Sequence, residues 1–444
     1  VWHVLDWNHD LAAAAVKCLQ EKGGAMIEKR RRKRHGSHIF LITLILTIAL
    51  GSVVLGCSMI WAVGSPQLVA VKLESQLANL VEDVQAAESV LANAQSAKPV
   101  GKYDALLADE ALCRQQNIYA KTAASPNETT IVFAGDILFD DHYAVKVKMN
   151  QRGRGIVGSI SQEMLDVMRS ADIFMVNNEF PYSNRGTPTE NKKFTFRAKP
   201  EYASYLLDMG ADIVSLANNH AYDYGKIAFL DTLDTLNGIG MPYVGAGRNL
   251  EEAIKPVYFI VNDQKIAFVA ATQIERTENP DTKEATQNSP GVFRCWNVDK
   301  LLEVVANAKQ VSDYVIVYIH WGTEATDQLD WAQKDQAVKI SNAGADLIIG
   351  DHPHVLQQFG YCEDTPVMYS LGNFLFNSKA QDTCLVKLTL DANGFKSLQF
   401  IPGRQQDCSV TMLHGTEKER VLSYMRKISP DVTIDGDGFV TKKG

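Results

Sequence analysis

"YVIVYIHWGTEATDQLDWAQKDQAVKISNAGADLIIGDHPH", residues 314–354, holds two apolar runs separated by a polar stretch with helical texture. The first run, 314–322, is rich in β-branched residues and reads as a strand buried on both faces. Residues 330–345 read as a helix that ends near Gly344, and 346–352 as a second strand. A strand, a helix and a strand in succession form a crossover, so the two strands should run parallel. Both runs end in residues with metal-competent lone pairs: His320 on one, and Asp351, His352 and His354 on the other. A polar turn punctuated by Pro353 would use similar residues, so this stretch alone leaves a turn and a metal site equally open.

The same texture extends back to Thr129. Strands are predicted at 130–136, 172–179, 212–220 and 265–272, and helices at 161–171, 200–211, 226–240 and 298–311. The alternation predicts an α/β domain built on a largely parallel sheet covered on both faces. Residues 355–402 read as shorter strands completing the sheet in antiparallel fashion, followed by an amphipathic helix at about 416–428.

In an open α/β sheet the carboxyl ends of parallel strands share one edge, where ligands bind. Asp136, Glu179, His220, His320, and His352 with His354 terminate successive strands. After residue 129 the chain has six histidines, at 142, 220, 320, 352, 354 and 414, and four of them fall on this edge. A lone histidine at a strand end is usually a hydrogen-bonded turn residue, but recurrence over five strands points to a metal site. Histidine, carboxylate and the Asn219 amide, without thiolate, suit Zn, Mn or Fe. Two such ions can share a bridging carboxylate and activate water, with a nearby histidine as general acid.

The net charge is −8, yet residues 29–34, "KRRRKR", carry +6, which leaves −14 for the remainder. An acidic bulk excludes general nucleic-acid binding, which needs a basic face. The basic run precedes "IFLITLILTIALGSVVLGCSMIWAV", residues 39–63, uncharged over 25 positions and long enough to span a bilayer as a helix. The positive-inside bias predicts a cytoplasmic N-terminus, residues 1–38, and an extracellular body anchored in the cell membrane by a single pass. A cleaved signal peptide fits less well: the run is long for one and no A-x-A site follows. "VLGC" at Cys57 resembles a lipoprotein box, but apolar residues continue through Trp61. Residues 1–25, preceding Met26, read as upstream sequence or a misplaced start. Residues 64–128 are predicted to be a helical stalk and a linker; Leu73, Leu77, Leu80 and Val84 suit either self-association through the stalk or a plain surface helix. The α/β domain then spans 129–404, and a C-terminal helix and tail 405–444. Five of the seven cysteines lie beyond residue 100, an odd number that leaves at least one without an intramolecular partner.

"FAGDI", "VNNEFP", "SLANNHAYDYG", "YIHWGTE", "GDHPHVLQ" and "YSLGNFLF", in this order, resemble the bacterial CapA family of capsule synthesis, or poly-γ-glutamate biosynthesis protein PgsA, over about residues 129–376. That family is related in fold to calcineurin-like metallophosphoesterases, which implies a four-layer α/β/β/α sandwich. By the resemblance, Asp136 and His354 would bind a first metal, Asn219, His320 and His352 a second, and Glu179 would bridge them. His220 would be the general acid. Arg197, in "FRAKP", is a candidate for contacting an anionic polymer, and Asn373, in "LGNF", for orienting substrate or the metal ligands. Metallophosphoesterases place a histidine two residues after the first aspartate, but Leu138 stands there, so the first metal would either be weak or be helped by Asp140, Asp141 or His142. Glu179 also replaces the usual bridging aspartate, and Glu324 is either a supporting residue or solvated. The implied role is building, exporting or attaching a poly-γ-glutamate-like capsular polymer, with membrane synthase subunits as partners. Two readings compete: a metal-dependent hydrolase or transferase, and a non-catalytic metal-binding scaffold of the synthase.

Overall fold

The computed structural model describes residues 101–274 and 282–444. The basic run, the apolar segment 39–63 and the stalk at 66–98 lie outside the described residues; among those described, no helix is long and apolar enough to cross a membrane.

Among the described residues the strands build two large sheets, of ten and seven strands. In the first, Glu128–Ile137, Ile173–Asn178, Ile213–Ser215 and Tyr243–Val244 run parallel. The hairpin of Gln381–Asp391 and Gly394–Gln406 joins the other side of Glu128–Ile137 in antiparallel fashion. In the second sheet Gln264–Thr272, Tyr314–His320, Leu347–Asp351 and Thr365–Met368 are parallel. Antiparallel strands, Val257–Val261 and Phe359–Cys362, flank them. The chain is mixed α/β, but the one parallel sheet expected from the alternation is divided in two.

The alternation of side chains along each strand accounts for the division. Ile131 and Phe133 enter one apolar core together with Phe268, Ile316, Tyr318 and Ile349 of the second sheet. Their neighbours Val132 and Ala134 point the other way, into a core shared with Leu165, Met168, Leu233 and Leu236 of two helices. Val315, Val317 and Ile319 likewise pack under Leu301, Val305, Ala337 and Ile340, while Tyr314, Ile316 and Tyr318 face the first sheet. Each central strand is therefore apolar at every position because both its faces are covered. Helices Gln162–Ser170 and Gly225–Gly238 lie on one outer face, Asp299–Val311 and Trp331–Asn342 on the other. Ser161 caps the first of these, and a reciprocal Asp330–Gln333 capping box starts the last.

Several segments differ from expectation. The strand read to residue 220 stops at Ser215, which leaves 216–224 as a loop. The 99–128 segment, read as linker, contributes Ile118–Ala120, paired with Val257–Val261. The C-terminal tail, beyond helix Gly415–Ile428, forms a hairpin of Val432–Ile434 and Phe439–Lys442 on the edge of the first sheet. Cys113, Cys295, Cys362, Cys384 and Cys408 are all buried and free.

Two glycines bring the backbone close to the strand ends. A side chain at Gly135 would meet the Gly372 carbonyl at 1.8 Å, and one at Gly350 would meet the Tyr369 carbonyl at 2.1 Å. The segment 369–372 can thus run directly against the residues preceding Asp136 and Asp351, and Asp136 N donates to Gly372 O at 3.2 Å. Gly135→Ala should destabilise the fold by at least about 1–3 kcal/mol through this backbone collision. Gly238→Ala, in open space at the end of a helix, should gain about 0.4–1 kcal/mol. Denaturant unfolding of the two variants checks both signs.

Candidate metal centre

Six of the residues singled out in the sequence converge at the strand ends. His320 Nε2 lies 2.9 Å from Asn219 Oδ1, 3.1 Å from His352 Nδ1 and 3.3 Å from Glu179 Oε1. Beside this cluster, His354 Nδ1 lies 2.9 Å from Asp136 Oδ2. Two overlapping groups have donor atoms close enough to hold an ion, Glu179–His320–His352 and Asp136–Glu179–His354, and Glu179 belongs to both. Both Glu179 oxygens are buried and no group donates to them. A carboxylate in that setting is costly unless a proton or a cation neutralises it. An amide oxygen and two imidazole nitrogens directed at the same point suit a transition-metal ion.

The electrostatics follow from burial and crowding. Burial, and then the charges of Asp136 and Asp351, push the Glu179 carboxyl well above its ordinary range. Burial alone would raise Asp136 too, but the His354 imidazole bonded to it holds it well below the usual carboxylate range. Burial pushes His320 down to about 3. Burial and the neighbouring His320 also depress His352 well below its ordinary value. Both rings are therefore neutral near pH 7, the form that offers a lone pair to a metal. Burial would lower His354, but its bond to Asp136 raises it.

The backbone fixes these side chains where regular structure ends. His352 and His354 have φ of +100° and +59°, on either side of Pro353. Positive φ is uncommon outside glycine and clusters at functional sites. Asn177 donates to Asp136 Oδ1 at 2.7 Å and accepts from Asn218 at 3.1 Å, which ties the second strand's end to the 216–224 loop. Asp351, which a sequence reading leaves as an incidental turn residue, is fully buried and accepts from Tyr318 Oη at 2.8 Å. Burial and the Asp136 charge push its carboxyl well above the ordinary range.

His220 stands beside the two groups and belongs to neither. Its Nδ1 is 2.7 Å from Asp223 Oδ2, and its ring packs on Phe196 with centroids 4.3 Å apart. Asp223 also accepts from Phe196 N at 2.7 Å and from Lys192 Nζ at 2.6 Å. Neither Asp223 nor Lys192 was singled out in the sequence. The Asp at the third position after His220 was the available signal, since a loop turn can return such a residue to the ring.

The remaining candidates divide. Asn373 is buried and lies opposite Asp136 in the register of the first sheet. Arg197 does not join the cluster: its guanidinium donates to the carbonyls of Arg185 and Gly186 and lies over the Tyr224 ring. Leu138 is part of the apolar core. Asp140 accepts from the backbone of His142 and Arg197, Asp141 pairs with Lys199 and Tyr202, and His142 is exposed. None of these three falls in either group, so the assistance expected from them is not seen. Glu324 is exposed.

A family model, bacterial capsule synthesis protein PGA_cap, matches residues 130–378. The capsule biosynthesis protein CapA of Bacillus anthracis is 31% identical over 309 residues, 67% of this chain and 73% of that protein. The PGA biosynthesis protein CapA of Bacillus subtilis (strain 168) is 32% identical over 275 residues, covering 61% and 70%. Among solved structures, TT1561 of Thermus thermophilus aligns over 61% of this chain and 97% of its own, with 11% identity and a TM-score of 0.35.

The Lys192–Asp223 pair is nearly sealed from solvent, with side chains 4% and 0% exposed. Asp223→Ala should cost about 3–5 kcal/mol by breaking a buried ion pair. Replacing both residues by apolar ones of similar volume should cost clearly less. Equilibrium unfolding in urea checks the order.

Proposed function

The chain belongs to the bacterial capsule synthesis protein family, and on that premise we propose that it is a membrane-anchored component of capsular polymer biosynthesis whose extracellular domain holds two divalent metal ions. Segment 39–63 is its anchor and a poly-γ-glutamate-like polymer its substrate or cargo. The domain is read as a metallophosphoesterase-like sandwich, which the facing sheets with helices outside support. Asp136, Glu179 and His354 would hold one ion; Glu179, Asn219, His320 and His352 would hold the other. The observation that carries this is Glu179, buried between the two groups with no donor to either oxygen.

Bound ions of Mn, Zn or Fe would supply Lewis acidity toward a phosphoryl or acyl oxygen and lower the pKa of water. His220 has its Nδ1 fixed by Asp223, which leaves its other nitrogen to carry a proton to a leaving group. Lys192 and Phe196 N hold Asp223 in turn, so the ring has one orientation. This supports hydrolysis or transfer at an amide or phosphoester bond. One observation favours a non-catalytic scaffold instead: Leu138 fills a core position where a further ligand would stand, so the first group has only three side chains.

Elemental analysis of the full-length protein should find about two transition-metal ions per chain, with most lost on replacing His352 and His354 together by alanine. A parent protein free of such metal defeats the proposal. In cells lacking the gene, His220→Ala should fail to restore polymer while still binding metal and joining the synthase. Full restoration by that variant would favour the scaffold.

A further inference from the structure

Lys192 sits in the segment 179–199, outside both sheets, yet its side chain is only 4% exposed. Its ammonium reaches two acceptors on another loop, the Asn219 main-chain carbonyl at 2.5 Å and Asp223 Oδ1 at 2.6 Å. An ammonium has donors and no acceptor, so both contacts are donations that cannot be reversed. Charge-assisted bonds of this kind are roughly twice as strong as neutral ones. At a surface a lysine gains little from such contacts, because its long stem loses freedom to hold one geometry. Here the stem is buried, and its segment is tied to the same loop on either side of Lys192. Thr189 N donates to Asp223 O at 2.8 Å, and Phe196 N to Asp223 Oδ2 at 2.7 Å.

The two acceptors serve different parts of the centre. Asp223 uses its other oxygen to hold the His220 ring, 2.7 Å from Nδ1. Asn219 turns its side-chain oxygen to His320 Nε2 at 2.9 Å, the same nitrogen that faces Glu179 and His352. Asn219 immediately precedes the turn in which Asp223 N donates to His220 O at 3.2 Å, and its own carbonyl is met by the lysine. Fixing that carbonyl restrains the peptide plane that follows the Asn219 Cα, and with it the direction in which the side chain leaves the backbone. Groups that orient a ligand without touching the ion govern affinity in this way.

We propose that Lys192 is a positioning residue for Asn219: by holding its main-chain carbonyl, the ammonium aims the Asn219 amide oxygen at the point shared by Glu179, His320 and His352. This rests on the metal-centre reading above. Because the same ammonium also holds Asp223, one buried cation ties the placement of an ion to the orientation of His220.

The test is zinc affinity of the full-length protein, measured by competition with a chromophoric chelator, together with the metal-free thermal midpoint. Lys192→Met, which keeps an apolar stem and removes both donations, should bind one ion roughly 10–100-fold more weakly, the usual effect of losing such a partner. Asp223→Asn breaks the same ion pair but leaves the Asn219 carbonyl its donor. It should lower the midpoint as Lys192→Met does, yet stay within about fivefold of the parent in affinity. The double variant Lys192→Met, Asp223→Leu leaves no unpaired charge there and should show the full loss of affinity, so a weakened fold in the single variant does not blur the outcome. Parent-like affinity in both variants that lack Lys192, or an equal loss in Asp223→Asn, would overturn the assignment. A parent that binds no zinc, manganese or iron would defeat the metal centre itself, and this assignment with it.

Discussion

Both side-chain oxygens of Glu179 are buried, and neither accepts a hydrogen bond. Asp136 and Asp351 are its charged neighbours, and His320 and His352 are too deeply buried to become cations near neutral pH. A protein fold does not ordinarily gather acceptors in this way, because the desolvation cost has no return. The cost is accepted by the whole frame: two sheets, a loop at 216–224 and the 352–354 turn each deliver one part of the cluster. A proton or a cation at that point would relieve the cost.

How legible this was depended on which residues are buried on two sides. The central strands could be read because both faces are covered, which makes their runs continuously apolar and unlike the helices between them. For the same reason the apolar pattern did not reveal the partition into two sheets, which only the family resemblance implied. Ile131 and Val132 are equally apolar, although one packs against the second sheet and the other against helices. The six converging site residues were legible because each follows a strand. Asp223, Lys192 and Asp351 were not, since a buried ion pair and a buried carboxyl look like solvated charges until their surroundings are known. Arg197, read as a candidate for contacting polymer, lies outside the cluster, its guanidinium donating to carbonyls of its own loop.

Two kinds of support surround the cluster, and they differ in strength. On the His220 side it is ionic, with the Lys192 ammonium, the Asp223 carboxylate and the ring in one contiguous chain. Beyond His354 it is built from neutral amides, whose directionality rather than charge does the organising. A charged chain resists removal of any member, whereas an amide ladder resists reversal.

His352, Pro353 and His354 form a kink in which two residues of unfavourable backbone conformation flank a ring-locked one. Ala325 N holds the middle of that kink by donating to the Pro353 carbonyl at 2.9 Å. The two imidazole rings diverge, with centroids 5.9 Å apart and planes at 44°. A cation whose bond lengths and coordination number match the fixed spacing would bind with little reorganisation, while one that demands a different polyhedron would have to deform the main chain to obtain it.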